Sequence, residues 1–132
     1  MSKKLQRFRD QLDQIDEEVK AEVMAERLRL VNPQIEVEAS RQFYNETTSE
    51  ALLSLKPDWV VDAIDNITAK CHLLAACRTA GLPVVCSTGA AARLDPTRIQ
   101  VEDLAHTTVD PLARSVRKIL RERYGSLVSS RS

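Results

Sequence analysis

The stretch from Pro57 to Cys86 limits the possible folds more than any other part of the chain. It holds a β-branched apolar run, Trp59-Val-Val-Asp-Ala-Ile64, then Asp65-Asn66, then a helical pattern closed by Gly81, and then a second apolar run, Pro83-Val-Val-Cys86. Asn66 suits an N-cap, because its side-chain oxygen accepts from the free amides of a first helical turn. Gly81 with Pro83 suits the other end, where a left-handed residue closes the helix and proline cannot continue it. Two short apolar strands joined by a helix cannot form a hairpin. They lie side by side in a parallel sheet, so the fold class is α/β, mainly parallel, with flanking helices.

The remaining segments fit round this unit. Leu5, Phe8, Leu12, Ile15 and Val19 alternate steps of three and four, which predicts an N-terminal amphipathic helix. The seam then meets Glu22 and Glu26, and an apolar stripe in another phase runs through Met24, Leu28 and Val31 before Asn32-Pro33 ends the helix. Ile35, Val37 and Ala39 alternate with glutamates and predict a half-buried strand; Thr48 to Leu55 reads as a helix. Ile99 to Leu104 alternates again, Asp110-Pro111 starts a last helix, and Gly125 lies just past its end. Residues 126–132 read as a loose tail.

Composition removes several classes of function. The 132 residues suffice for one domain, and 43% hydrophobic with 29% charged residues is an ordinary globular balance. No apolar run approaches the roughly 20 residues that span a bilayer, and the charged opening of the chain lacks a signal-peptide core, so a cytoplasmic protein without a membrane segment is expected. Cys71, Cys77 and Cys86 are an odd number without Cys-x-x-Cys spacing, which suggests reduced core residues and neither disulfides nor zinc. His72 and His106 have no metal-ligand spacing either. Nineteen basic against nineteen acidic groups argue against indiscriminate coating of nucleic acid. The distribution is uneven, however: residues 110–132 carry 6 basic and 2 acidic groups. Arg114, Arg117, Lys118 and Arg121 follow helical spacing and form one stripe, opposite Leu112, Val116, Ile119 and Leu120. Such a stripe is either a solvated face or a contact for phosphates.

In open parallel sheets ligands bind beyond the carboxyl ends of the strands. That rule selects Asp65-Asn66 and the small-residue loop Ser87 to Ala92. An exposed carboxylate at Asp65 suits a magnesium ion or a ribose hydroxyl, since hard cations take oxygen ligands; a capping role alone is the simpler alternative. The three glycines, Gly81, Gly89 and Gly125, are too few and too scattered for Gly-x-Gly-x-x-Gly or a P-loop.

Five segments carry a resemblance: Lys20 to Pro33, Trp59 to Asn66, Gly81 to Val85, Asp95 to Ala105 and Asp110 to Ala113. Together, and in this order, they resemble the ThiF/MoeB-type adenylating superfamily, closest to the branch that dehydrates N6-threonylcarbamoyladenosine in tRNA. The resemblance divides the chain into residues 1–19, an amphipathic helix outside it, residues 20–125, a partial adenylating domain with a Rossmann-like sheet, and the tail at 126–132. It implies ATP and Mg2+ as cofactors, tRNA as partner, a homodimer, and a truncated form of the enzyme without the glycine-rich nucleotide loop. By the same resemblance Lys20 contacts the ATP phosphates, Asp65 serves the magnesium and nucleotide site, and Asn66 belongs to the same Asp-Asn motif. Arg114, Arg117, Lys118 and Arg121 then face the tRNA backbone. Within the superfamily the alternative is a sulfur-carrier-protein adenylyltransferase; from another class it is a non-catalytic interaction module.

Overall fold

The computed structural model describes residues 19–89 and 94–125. The described residues fall into two compact units, which divide between residues 43 and 44. The heptad seam lies outside the described residues apart from Val19.

In the first unit a helix, α1, covers residues 19–31 and stops before Asn32-Pro33, as the proline requires. The turn is closed by the Ile35 amide on the Asn32 carbonyl, 3.1 Å, and by the Gln34 amide on Asn32 Oδ1, 3.1 Å. The strand expected at Ile35 to Ala39 does not form. A strand needs a ladder partner, and here the Val37 carbonyl accepts instead from Arg29 Nη2 at 2.8 Å. Alternation survives only as partial burial of Val37 and Ala39.

The second unit begins with α2, Glu46–Leu53, two residues ahead of the expected start. Asn45 sets that start, since its side chain accepts from the Thr47 and Thr48 amides while Thr48 Oγ1 accepts from the Asn45 amide. β1, Val60–Asp62, pairs in parallel with β2, Val84–Cys86, in the register Val60 to Val84, Val61 to Val85 and Asp62 to Cys86. Between them α3 runs from Ile67 to Ala80 and packs on β1, α2 and α4. Asn66 caps it, and Gly81 ends it in the left-handed region, φ 70°, with the Leu82 amide bonded to the Cys77 carbonyl at 2.8 Å.

Period-two alternation sorts the sheet residues. Val60, Asp62, Val84 and Cys86 are buried or half-buried, while Val61 and Val85 are exposed. Trp59, expected inside the strand, precedes it and is exposed. After a 3-10 turn at Pro96–Arg98 the chain runs as a loop, and the strand-like alternation of Ile99 to Leu104 yields no strand because no neighbour pairs with it among the described residues. Asp110 then caps α4, Pro111–Tyr124, by accepting from the Ala113 amide. Cys71, Leu74 and Ala75 of α3 meet Val116 and Leu120 of α4 in the core, with Ile67, Val84, Cys86, Leu104, Leu112, Ile119 and Tyr124 at its margin. The unit is thus the expected mainly parallel α/β arrangement, a partial Rossmann-like sheet.

Candidate functional site

The carboxyl ends of β1 and β2 lie side by side, held by an ion pair. Asp62, the last residue of β1, and Lys70, on the second turn of α3, are both fully buried. Lys70 Nζ donates to Asp62 Oδ2 at 2.9 Å and to the Ser87 carbonyl at 2.9 Å, and lies 3.4 Å from Cys86 Sγ. Asp62 Oδ1 accepts from the Ile64 amide at 2.9 Å, and the Ser87 amide donates to the Asp62 carbonyl at 2.8 Å. Every polar atom of the pair therefore has a partner, as burial demands. Desolvation works against the charged ammonium, but its hydrogen bond and attraction to Asp62 outweigh this and hold the Lys70 pKa above its ordinary value. Cys86 is raised too, with the opposite consequence for charge: burial and the Asp62 carboxylate push its thiol up to about 11, so it stays neutral and is a poor nucleophile at neutral pH. Burial also raises the Cys71 and Cys77 thiols, and all three cysteines are free.

Asp65 and Asn66 emerge just beyond this pair and are exposed. Asn66 Oδ1 accepts from the Thr68 and Ala69 amides, 3.0 Å each, so its capping role is present. The Asp65 carboxylate is thereby presented at the strand end, next to the first turn of a helix. A single carboxylate there suits magnesium shared with phosphate oxygens. Among the described residues no cluster of three metal-ligating side chains occurs. Lys20 is an exposed residue of α1 and belongs to the first unit.

The basic stripe of α4 is only partly on the surface. Arg114, Lys118 and Arg121 are exposed, and Lys118 lies 3.9 Å from Glu122. Arg117 instead turns onto the preceding loop, where Nη1 donates to the Leu104 and Thr107 carbonyls at 3.1 and 2.9 Å and to Thr107 Oγ1. Helical spacing placed it on the stripe correctly, but the loop carbonyls that it satisfies come from residues too far away for spacing to reveal. Sequence reasoning also missed Lys70. The signal was there: Lys70 falls on the same helical face as Ile67, Cys71 and Leu74, a core position, and follows an aspartate buried in an apolar strand.

A model of the ThiF family matches residues 6–117. The chain belongs to the ThiF family. It is 41% identical over 112 residues to the tRNA threonylcarbamoyladenosine dehydratase of Escherichia coli (strain K12), a match covering 85% of this chain and 42% of that protein. It is 41% identical over 103 residues to the enzyme of the same name from Bacillus subtilis (strain 168), covering 78% and 41%. The crystal structure of the E. coli dehydratase in complex with ATP superposes with a TM-score of 0.79 over 84% of this chain and 46% of that one; its AMP complex gives 0.78. This ThiF-family chain thus spans less than half the length of the relatives that it matches. No helix among its described residues is long and apolar enough to cross a membrane.

Proposed function

We propose that the chain takes part in ATP-dependent dehydration of N6-threonylcarbamoyladenosine in tRNA. The observation that carries this reading is 41% identity to a dehydratase whose solved structure holds ATP, on a chain that presents Asp65 and Asn66 at the carboxyl end of β1. In the proposed reaction the substrate carboxylate attacks the α-phosphorus of ATP and pyrophosphate leaves. A nucleophile within the same modified base then attacks the activated carbonyl, the C–O bond to AMP breaks, and the ring closes. The oxygen lost from the carboxylate leaves with AMP, so the base loses one water overall. Asp65 would hold magnesium, and Asn66 keeps the turn and the helix start in place; the family resemblance alone proposes Lys20, in the first unit, as a cation that would offset negative charge on the phosphates. Magnesium, when bound, would screen those phosphates.

The tRNA partner is supported by the exposed cations Arg114, Lys118 and Arg121 on α4, with Arg117 given chiefly to the loop that it holds. A cytoplasmic site of action goes with this substrate. We further propose a homodimer, supported by the exposed Val61 and Val85 on one face of the sheet, and residues 20–125 as the adenylating part, with 1–19 and 126–132 outside it. The family match reaches into the first segment from residue 6, so deleting residues 1–19 tests the division: nucleotide affinity is expected to survive.

The direct test incubates the chain with ATP, magnesium and tRNA carrying the modified base, and follows the base by mass. Loss of one water supports the reading, and an unaltered base with ATP bound leaves nucleotide binding without this chemistry. Lys20→Ala and Asp65→Ala are expected to weaken ATP binding; unchanged affinity in both contradicts the site. For the RNA surface, reversing Arg114 and Arg121 to glutamate is expected to weaken tRNA binding and flatten its salt dependence.

A further inference from the structure

We infer that Lys70 and Asp62 are a positioning pair for the ligand-binding turn, with one ammonium fixing both strand-end loops at once. The geometry is closed on all sides. Asp65 lies between the two members of the pair in sequence, so the Lys70 to Asp62 contact of 2.9 Å ties the turn that carries it into a ring. Asp62 Oδ1 holds the entry of that turn through the Ile64 amide, and Asn66 holds its exit through the Thr68 and Ala69 amides. The same Lys70 Nζ binds the Ser87 carbonyl, the first residue after β2. Its two strong partners therefore come from the carboxyl ends of the two strands, Asp62 as the last residue of β1 and Ser87 as the first beyond β2, where a parallel sheet places its ligand.

Stability alone does not account for such a pair. Two buried charges lose their hydration, and apolar residues of similar volume often stabilise a core equally well. What apolar residues cannot do is hold a carboxylate of one strand and a carbonyl of the next in a fixed geometry. Groups that orient a ligand-bearing residue without touching the ligand commonly change affinity by about 10- to 100-fold when removed. In its role at Asp65 the pair rests on the proposed nucleotide site; the clamp on the two loops does not.

The test uses the full chain. In the wild type, amide exchange at Ile64 and Ser87 is expected to be as slow as in the core of α3, and far slower than in the loop at residues 99–103. Loop-like exchange at both positions overturns the clamp without any variant. The double variant Asp62→Asn with Lys70→Met keeps an acceptor for the Ile64 amide and leaves no buried charge. It is expected to melt cooperatively, to speed exchange at Ser87 relative to α3 and α4, and to bind ATP with magnesium about 10- to 100-fold more weakly at a temperature where it is fully folded. Wild-type affinity and wild-type Ser87 exchange in the folded double variant overturn the proposal. Asp65→Ala separates the two readings: if it leaves ATP affinity unchanged the nucleotide site fails, while Ser87 exchange in the double variant, compared with the wild type, still decides the clamp.

Discussion

Residues 19–43 and residues 44–125 meet the same demand, covering apolar surface, with unequal success. In the first, Ala25 alone is buried among the described residues, and Val19, Val23, Met24, Leu28, Leu30 and Val31 are exposed. In the second, α3 and α4 bury Cys71, Leu73, Leu74, Cys77, Val116 and Leu120, and even a lysine and an aspartate. A helical apolar period is thus enough to make a helix but not to cover it. Coverage requires a second element whose own stripe faces the first, as that of α4 faces α3.

The largest expected effect tests that contrast at its charges. Lys70→Ala leaves Asp62 buried without its cation and is expected to cost about 3–5 kcal/mol in urea unfolding. Arg41→Ala, which removes an exposed pair with Glu22 at 2.9 Å, should cost at most about 1 kcal/mol. Equal losses would erase the distinction between the regions. Next come the apolar residues: Leu120→Ala should lose about 2–5 kcal/mol, and Leu30→Ala no more than about 0.5 kcal/mol.

Alkaline pH should act on the second region, which holds all three cysteines. Between the ordinary thiol value of 9.0 and the raised Cys86 value of about 11, the unfolded chain gives up a proton that the folded chain keeps. The unfolded state then binds fewer protons, so stability must fall as pH rises through this window. The Lys70 contribution is intact below the ordinary value of 10.5 and is lost only as pH passes its raised folded value. A Tm measured from pH 8 upward should begin to fall above 9, and a Cys86→Ser variant should fall less over the same range. Small effects also lie in the backbone. Val109, a β-branched residue at φ 60° and exposed, should gain about 1 kcal/mol on replacement by glycine, whereas Gly81→Ala, at φ 70°, should lose about 1 kcal/mol.

The second region was also the more legible from sequence, for a physical reason. Asn66, Gly81, Asp110 and Pro111 act on their own neighbours, so their caps could be placed from local chemistry, and β1, α3 and β2 fell within a residue or two of where expected. Ile35 to Ala39 and Ile99 to Leu104 showed equal alternation but formed no strand, because a strand exists only with a partner and alternation does not specify one. At the candidate site, the exposure of Asp65 and the cap at Asn66 could be read in advance. The core position of Lys70 was readable too, but not its clamp, which depends on a contact with Ser87, seventeen residues away. Arg117 shows the same limit, as its spacing gave the helix face but not the loop lying over it.

Nucleotide recognition at the carboxyl ends of β1 and β2 is tested most directly by a thermal titration of the full chain with ATP and magnesium. A ligand that binds the native state stabilises it by about 2.7 kcal/mol at one hundred times its dissociation constant. Tm is expected to climb with ATP concentration in the wild type and to climb much less in Asp65→Ala. A Tm unmoved by millimolar ATP in the wild type would contradict it.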